Sequence, residues 1–296
     1  MKEKPFSKYQ ILANAVMIIW TLAIILPFIL LFMSSITDEN TLVANGYSFF
    51  PKKFSLASYS YIIKSGGQIL KAYGVSIGVT VVGTLLNVLL SALMAYPLSV
   101  KNLPGRNVMM FFVFFTMLFN GGIVPSYIMW TGTFHIKDTI FAQLLPNFLL
   151  SAWNVMMIRT YFTTSIPDGL YEAAEIDGAS QFTIFWKIVL PLGKPILVTM
   201  GTFAGLAYWN DWTNGLYYIV KNTGLYNVQN LLNQMVQNIQ FLTQSSNSNV
   251  TAAASTIPAT GIQMAIASVN AMPIMLIFPS FQKYYAKGIA LGAVKG

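Results

Sequence analysis

The sequence predicts an all-α, polytopic membrane protein with six transmembrane helices and a pair of short cytoplasmic helices. Two observations lead to this prediction. First, 55% of the 296 residues are hydrophobic and only 9% are charged, whereas soluble domains carry about 25% charged residues. So few charges cannot cover the surface of a compact soluble enzyme. Second, the apolar residues form long uncharged stretches, which indicates lipid as the solvent.

Six apolar stretches are long enough to be spanning helices. They are residues 11–33, 73–98, 108–129, 140–158, 195–218 and 262–281. The first is longer than the apolar core of a cleaved signal peptide, so we interpret it as a retained span. With both termini on one side of the membrane, eleven of the 17 basic residues fall on that side. Because Lys and Arg accumulate on the cytoplasmic side, we expect both termini in the cytoplasm.

The composition also excludes several kinds of chemistry. With no cysteine and one histidine, His135, the chain lacks thiolates and the residues of a Ser-His relay or a zinc site. No basic patch interleaves with aromatic residues, so the net charge of +8 does not predict a nucleic-acid partner. The phosphate-binding pattern Gly-x-x-x-x-Gly-Lys-Ser/Thr does not occur in the sequence. We therefore predict that the chain is not an enzyme and binds no cofactor, metal or ATP itself.

The chain is predicted to be one membrane domain, residues 1–296, with two long connections. The outer one, about 221–260, is rich in Asn, Gln, Ser and Thr. An amphipathic helix is expected within it, because apolar residues recur at helical spacing. These residues are Val228, Leu231, Leu232, Met235 and Ile239. The cytoplasmic connection, about 165–194, is called the elbow below, and it contains four of the nine acidic residues.

The elbow is predicted to form two short helices joined by a corner. Pro167 suits the first turn of the first helix, and Asp168 suits its positive end. Gly178 supplies the left-handed residue that ends this helix, Ser180 caps the second, and Pro191 ends the second. One apolar side of the second helix is expected to contain Phe182, Phe185, Trp186 and Val189. Such an elbow either docks against a partner protein or lies on the membrane surface as an amphipathic linker.

The elbow resembles the signature loop of the permease subunits of bacterial ABC importers. The matching residues are Glu172, Ala173, Ala174, Asp177, Gly178, Ala179, Ile188, Leu190 and Pro191. This resemblance implies that the elbow forms coupling helices, which dock on a separate pair of ATPase subunits that bind ATP and Mg²⁺. It also implies a heterodimer with a second permease subunit, an extracytoplasmic solute-binding protein, and transport by alternating access.

Further similarities indicate carbohydrate import, with an oligosaccharide as the expected solute. Residues 209–211 are similar to an element of carbohydrate permeases, and residues 258–296 resemble the C-terminal part of the smaller maltose-transporter permease. Residues 120–125 are similar to a branch associated with complex or uronic oligosaccharides. The candidate residues of a translocation path are Asn120, Trp209, Asn210, Asp211 and Trp212. A permease for another solute, an ion-coupled secondary transporter and a membrane scaffold without transport activity are the alternatives.

Asp211 is the one acidic residue inside a predicted span, which makes it a functional candidate facing a cavity. Its position toward the outer interface also allows simple contact with water. Trp209 and Trp212 beside it suit either sugar stacking or an interfacial aromatic belt. In the third span, the glycines and the proline within residues 121–125 either break the helix to open a pathway or permit close packing.

Overall fold

A computed structural model of the chain describes residues 8–64, 66–244 and 259–293. Apart from one isolated bridge between Thr37 and Phe54, the regular structure of these residues is helical. The all-α prediction is therefore confirmed for the described residues. The sequence predictions also used Pro258, residues 294–296 and the basic residues Lys2 and Lys4, which lie outside the described residues.

The structure describes fifteen α-helical segments within these residues. They are α1 (Lys8–Ser35), α2 (Glu39–Asn45), α3 (Ala57–Lys64), α4 (Gly66–Ser99), α5 (Arg106–Leu118), α6 (Ile123–Ile128), α7 (Phe141–Leu144), α8 (Ala152–Ser165), α9 (Asp168–Ile176), α10 (Gln181–Ile184), α11 (Leu190–Leu192), α12 (Lys194–Trp209), α13 (Thr213–Tyr218), α14 (Val228–Gln244) and α15 (Ala259–Ala293). A π-helical turn, Met129–Thr133, extends α6, and a second, Phe185–Val189, joins α10 to α11. The predicted amphipathic outer helix is α14, which buries Val228 and Leu231.

Two of the described helices are long and apolar enough to cross a membrane unbroken, Tyr9–Ser35 and Gly67–Ser99. Two bent pairs of helices pass the same test only when each pair is taken together. They are Arg106–Leu118 with Ile123–Thr133, bent by 109°, and Gln181–Leu192 with Lys194–Trp209, bent by 79°. The described residues thus contain two such spans, or up to four if each bent pair is one span. The number six stays a prediction.

The third, fourth and fifth predicted spans are not single helices. The fifth is divided into α12, which ends at Trp209, and α13, which begins at Thr213. The third is broken before α6 at Gly122, whose φ of 88° no ordinary L-residue adopts readily. Of the two interpretations of its glycines, the structure therefore supports the helix break. In the fourth, the long helix begins only at Ala152, because Pro146 lacks an N–H and Asn147 takes a left-handed φ of 67°. This helix then continues to Ser165.

Contacts divide the chain into two units, and the first comprises residues 1–67 and 232–273. Here Glu39 of α2 binds the first turn of α15. Its Oε1 accepts the Thr260 N–H at 2.9 Å and its Oε2 accepts the Gly261 N–H at 2.8 Å. A negative charge is favourable at this end of a helix. A hydrogen bond of 2.8 Å between Ser35 and Tyr59 connects α1 to α3.

The second unit comprises residues 68–231 and 274–296. Its largest apolar core lies where α4, α8 and α12 meet the elbow. The fully buried side chains there include Ala92, Ala95, Ile158, Phe162, Ile184 and Val189. Within the apolar helices, Asn87 of α4 donates to the Phe148 carbonyl (2.6 Å) and accepts from Asn154 of α8 (2.7 Å). Because a buried amide without partners is costly in an apolar environment, these bonds stabilise the contact of α4 with α8.

Candidate functional site

The first arm of the elbow is α9, which ends in a Schellman motif. The Gly178 N–H donates to the Glu175 carbonyl (3.0 Å), and the Ala179 N–H donates to the Ala174 carbonyl (2.9 Å). Gly178 takes a φ of 75°, so the predicted left-handed corner is confirmed. Asp168 lies in the first turn, where its charge favours the helix.

The second arm runs from Gln181 to Leu192 through the π-helical turn. Ser180 caps it as predicted, since its Oγ accepts the Thr183 N–H at 3.3 Å. Pro191 does not end this arm, and that prediction was wrong. The proline lies inside the arm, whose helix continues through the π-helical turn and past Pro191 to Leu192.

The apolar side of the second arm is split between the core and the surface. Phe185 and Val189 are buried, whereas Phe182 and Trp186 are exposed. The four side chains spread over about 100° of the helix circumference, and the core covers only the edge that contains Phe185 and Val189. The four residues therefore do share one side of the helix, and the core covers half of that side.

The nine residues that match the importer signature differ in exposure. Glu172, Ala173, Asp177, Gly178 and Pro191 are exposed, Ala174 is buried, and Ala179, Ile188 and Leu190 are intermediate. The structure adds apolar neighbours to them, above all Ile176, which is 85% exposed, and Phe182, which is 66% exposed. We call the exposed side chains of Glu172, Ile176, Phe182 and Trp186 the docking face. Exposed apolar side chains next to carboxylates are typical of protein contact surfaces.

Both arms of the elbow contact one tyrosine of the membrane helix α4. The Tyr96 hydroxyl donates to Oε1 of Gln181 at 2.6 Å, and Nε2 of Gln181 donates to Oε1 of Glu175 at 2.8 Å. The Tyr96 ring also lies 5.4 Å from that of Phe185 and 6.4 Å from that of Tyr171, between centroids. The sequence analysis missed Tyr96, because an aromatic residue in an apolar helix resembles any lipid-facing side chain.

A second contact joins the elbow to the residues that follow α4. Nζ of Lys101 lies 2.5 Å from Oδ2 of Asp168. Both side chains are more than half exposed, so water screens this ion pair and it contributes little stability. Burial raises the pKa of Tyr171 to about 12, so its hydroxyl stays neutral at physiological pH. The attachment of the elbow to α4 therefore rests mainly on neutral groups.

At the far end of α12, Asp211 is buried and has a structural role. The side chain is 5% exposed, and its Oδ1 accepts the N–H groups of Thr213 (3.0 Å) and Asn214 (3.2 Å) at the start of α13. The Asp211 carbonyl accepts from the Asn227 side chain at 2.6 Å, just before α14. The sequence also allowed the carboxylate to contact bulk water. The structure instead buries it.

The neighbours of Asp211 form a mixed aromatic and polar turn. The Trp209 ring is half-buried and lies 6.3 Å from that of Tyr73, whereas Trp212 is exposed. Asn210 is exposed and accepts a hydrogen bond from Gln229 at 3.3 Å. Rings and amides at one surface are the groups that bind sugars in proteins, through stacking and hydrogen bonds.

Asn120 lies in the break between α5 and α6. Its side chain is exposed, and its Oδ1 accepts the Gly122 N–H at 2.8 Å. This bond is made within its own turn, so it stabilises the left-handed Gly122 rather than connecting Asn120 to residues 209–212.

A helical chain with apolar helices and a capped, acidic elbow has the features of a membrane permease. The chain belongs to the family described as "Binding-protein-dependent transport system inner membrane component", whose profile matches residues 6–291. The predicted membership of the importer permeases is therefore confirmed.

The chain is also similar to individual permeases and to one solved transporter structure. It is 36% identical over 272 residues to Protein LplC of Bacillus subtilis (strain 168), covering 92% of this chain and 90% of that protein. It is 35% identical over 288 residues to the polygalacturonan/rhamnogalacturonan transport system permease protein YtcP of the same strain, covering 97% and 98%. A chain in the crystal structure of a bacterial ABC transporter involved in the import of the acidic polysaccharide alginate is similar with a TM-score of 0.79 and 25% identity. That similarity covers 96% of this chain and 100% of the other.

Proposed function

We propose that this chain is one of two permease subunits of an ATP-driven importer, which moves an oligosaccharide across the bacterial plasma membrane by alternating access. The observation that best supports this is the elbow, which matches the importer signature and has an exposed docking face. Its arms are attached to α4 through Tyr96. A surface linker would need no such rigid attachment to a membrane helix.

The docking face contacts an ATPase subunit, one of a pair that binds ATP and Mg²⁺. Ile176 and Phe182 supply apolar contact area, and carboxylates such as Glu172 pair with Arg or Lys of the ATPase. The chain itself has no phosphate-binding loop. The energy of nucleotide binding therefore enters through the elbow, and Tyr96 passes the displacement to α4.

The transmembrane domain has six spans with both termini in the cytoplasm. α1, α4 and α15 supply three of them, and α12 supplies the fifth. The third is the broken pair of α5 and α6, and the fourth combines α7 with α8. The excess of basic residues on the elbow side supports this orientation.

The transport cycle switches the permease pair between two states. ATP binding brings the ATPase subunits together, the elbows follow, and the helices open outward to receive the solute from its binding protein. Hydrolysis returns them to the inward-open state. The solute must bind the two states with different affinity, because a ligand with equal affinity for both shifts no equilibrium.

The solute is an oligosaccharide, and acidic sugars are the class to test first. Relatives carry the names of polygalacturonan/rhamnogalacturonan and arabinooligosaccharide systems, and the similar solved transporter imports alginate. The turn of Trp209, Asn210, Asp211 and Trp212 is the proposed contact of this subunit with the sugar path, and Asn120 is a separate candidate.

The test is uptake by proteoliposomes that contain this chain, a partner permease and the ATPase pair, with the binding protein added outside. We expect uptake of labelled oligogalacturonides only with ATP inside and binding protein present. An ATPase variant that binds but does not hydrolyse ATP serves as the control. Uptake without ATP that follows an ion gradient would instead favour a secondary transporter. No stimulation of ATP hydrolysis by loaded binding protein would favour a scaffold.

A further inference from the structure

An apolar groove of about 490 Å³ lies between α4, α5 and α8. Its walls include Leu98 of α4, then Met109, Val113 and Thr116 of α5, and Ala152 and Val155 of α8. Met109 is 40% exposed, so the groove is open to the surface of the chain along α5. A groove of this composition has no use for a sugar, because it offers almost no hydrogen-bonding groups.

Two arginines lie at one end of this groove. Arg106 precedes Met109 by three residues and Arg159 follows Val155 by four, so each lies on the groove side of its own helix. Both side chains are half-buried, and Nε of Arg159 donates to the Leu98 carbonyl at 3.2 Å. This is also the end of the groove next to the elbow, since α8 leads directly into it.

The charges of these arginines are not balanced by carboxylates. The salt bridges among the described residues join Lys53 to Asp38 and Lys101 to Asp168, and neither involves Arg106 or Arg159. Arg106 lies close enough to Arg159 for the two positive charges to act on each other. Two neighbouring guanidinium groups that repel each other favour an anion between them.

We propose that the groove binds an anionic phospholipid of the surrounding bilayer, with its phosphate between Arg106 and Arg159 and an acyl chain along α5 and α8. Guanidinium groups bind phosphate oxygens through paired N–H donors. Thr116 lies ten positions after Arg106, which corresponds to about 15 Å of helix. This length gives an acyl chain an apolar channel leading away from the headgroup. A neutral lipid would leave the two charges unbalanced.

The position of this site connects the lipid to the elbow. Leu98, which lines the groove and accepts from Arg159, lies two residues after Tyr96 on α4. The bound lipid therefore stabilises the same end of α4 that receives the elbow. This lipid site is independent of which solute the importer carries.

The experiment is native mass spectrometry of the full chain in detergent, titrated with phosphatidylglycerol or with phosphatidylcholine of the same acyl chains. Each basic residue near an anionic headgroup contributes roughly a fivefold gain in affinity. We expect the Arg106→Gln/Arg159→Gln variant to bind phosphatidylglycerol about 25-fold more weakly, with phosphatidylcholine binding unchanged. Arg159→Lys keeps the charge and retains most of the affinity. Lys64→Gln/Lys71→Gln removes two exposed charges elsewhere and serves as the control.

A second measurement tests the groove if the arginine variant misfolds. Phosphatidylglycerol with a photoreactive acyl chain should label the peptide that contains Met109 and Thr116 in the parent chain, and Thr116→Trp should reduce this labelling by filling the groove. Unchanged phosphatidylglycerol affinity in a folded double arginine variant would overturn the proposal. Equal loss of both lipids would also overturn it, and so would labelling outside the groove. In a complex with the partner permease, exclusion of the photoreactive lipid by that subunit would show a protein interface instead.

Discussion

The Tyr96 hydroxyl of α4 donates a 2.6 Å hydrogen bond to Oε1 of Gln181, at the start of the second arm of the elbow. Gln181 donates in turn to Glu175 at the end of the first arm. One amide side chain therefore joins a membrane helix to both arms. In the proposed importer, a displacement of either arm is transmitted to α4 through these hydrogen bonds, with no flexible segment between them.

Tyr96→Phe tests this connection. The substitution removes one hydrogen bond, worth about 1 kcal/mol or roughly fivefold, and keeps the ring contacts with Phe185 and Tyr171. We expect oligosaccharide-stimulated ATP hydrolysis to fall severalfold while the amount of assembled complex is unchanged. Tyr61→Phe, at an exposed tyrosine of α3, is the matched control. Full stimulation in Tyr96→Phe would argue against transmission through this bond.

Gly178→Ala tests the corner of the elbow. Its φ of 75° places a Cβ in a strained conformation, which costs about 1–2 kcal/mol. We expect weaker binding of the ATPase subunits in a pull-down from detergent, with normal membrane insertion. Gly169→Ala, in the neighbouring helix α9 with open space around it, is the control and should bind normally. The idea of a rigid corner fails if both variants bind alike.

Gly193→Ala tests the close packing where the elbow meets α12. A Cβ there would lie 2.5 Å from a ring carbon of Phe162 and 2.9 Å from the Val189 carbonyl oxygen. We expect the thermal midpoint of the purified chain to fall, because overpacking of this kind costs about 1–3 kcal/mol. Gly74→Ala, on α4 with nothing within 4 Å, should leave the midpoint unchanged or raise it. A midpoint for Gly193→Ala equal to that of the parent would contradict this packing.

Asp211 offers a test that separates structure from transport. Asp211→Asn keeps an oxygen acceptor for the N–H groups of Thr213 and Asn214, whereas Asp211→Ala removes it and costs about 1 kcal/mol. We expect Asp211→Asn to assemble normally but to alter uptake, and Asp211→Ala to lower the thermal midpoint. Normal uptake by Asp211→Asn would show that the carboxylate has no role in the proposed sugar path.

The pH dependence of the chain should include a contribution from Asp138. Hydrogen bonds from the backbone N–H groups of Lys221, Val220 and Asn222 lower the pKa of its carboxyl group. A lowered folded pKa stabilises the fold above the ordinary carboxyl pKa of about 4, and this stabilisation is lost as the pH falls through the folded value. We expect Asp138→Asn to lower the thermal midpoint at pH 7 and to match the parent under strongly acidic conditions. A difference that persists unchanged in acid would contradict this assignment.

The sequence predicted the features that depend on local chemistry. Gly178 ends α9 in the left-handed conformation and Ser180 caps α10, because both positions are determined by neighbouring residues. Features that depend on distant contacts were missed. Tyr96 and Gln181 are 85 residues apart, and no local pattern distinguishes this tyrosine from a lipid-facing one. Asp211 was singled out as a functional candidate, which stays a prediction. Its burial depends on Asn227 and on the start of α13, which hydropathy does not reveal.

The break of the fourth span has a similar cause. The composition of residues 140–158 is apolar enough for a membrane helix. Hydropathy is an average over many residues, so one proline or one left-handed residue hardly changes it. Pro146 and the left-handed Asn147 nevertheless separate α7 from α8. Polar side chains then satisfy the irregular backbone, as when Asn214 donates to the Pro146 carbonyl at 3.1 Å.

The most direct test of the account is a cross-link from Ile176, the most exposed apolar residue of the docking face. Because the chain has no cysteine, Ile176→Cys introduces a single reactive site. In membranes containing the complete importer, the account predicts a cross-link to the ATPase subunit whose yield changes when ATP is added. Leu85→Cys, at an exposed position of α4, should give no such product. Labelling of the Ile176→Cys thiol by lipid-soluble or aqueous reagents alone, with no cross-linked protein in any nucleotide state, would contradict the central claim.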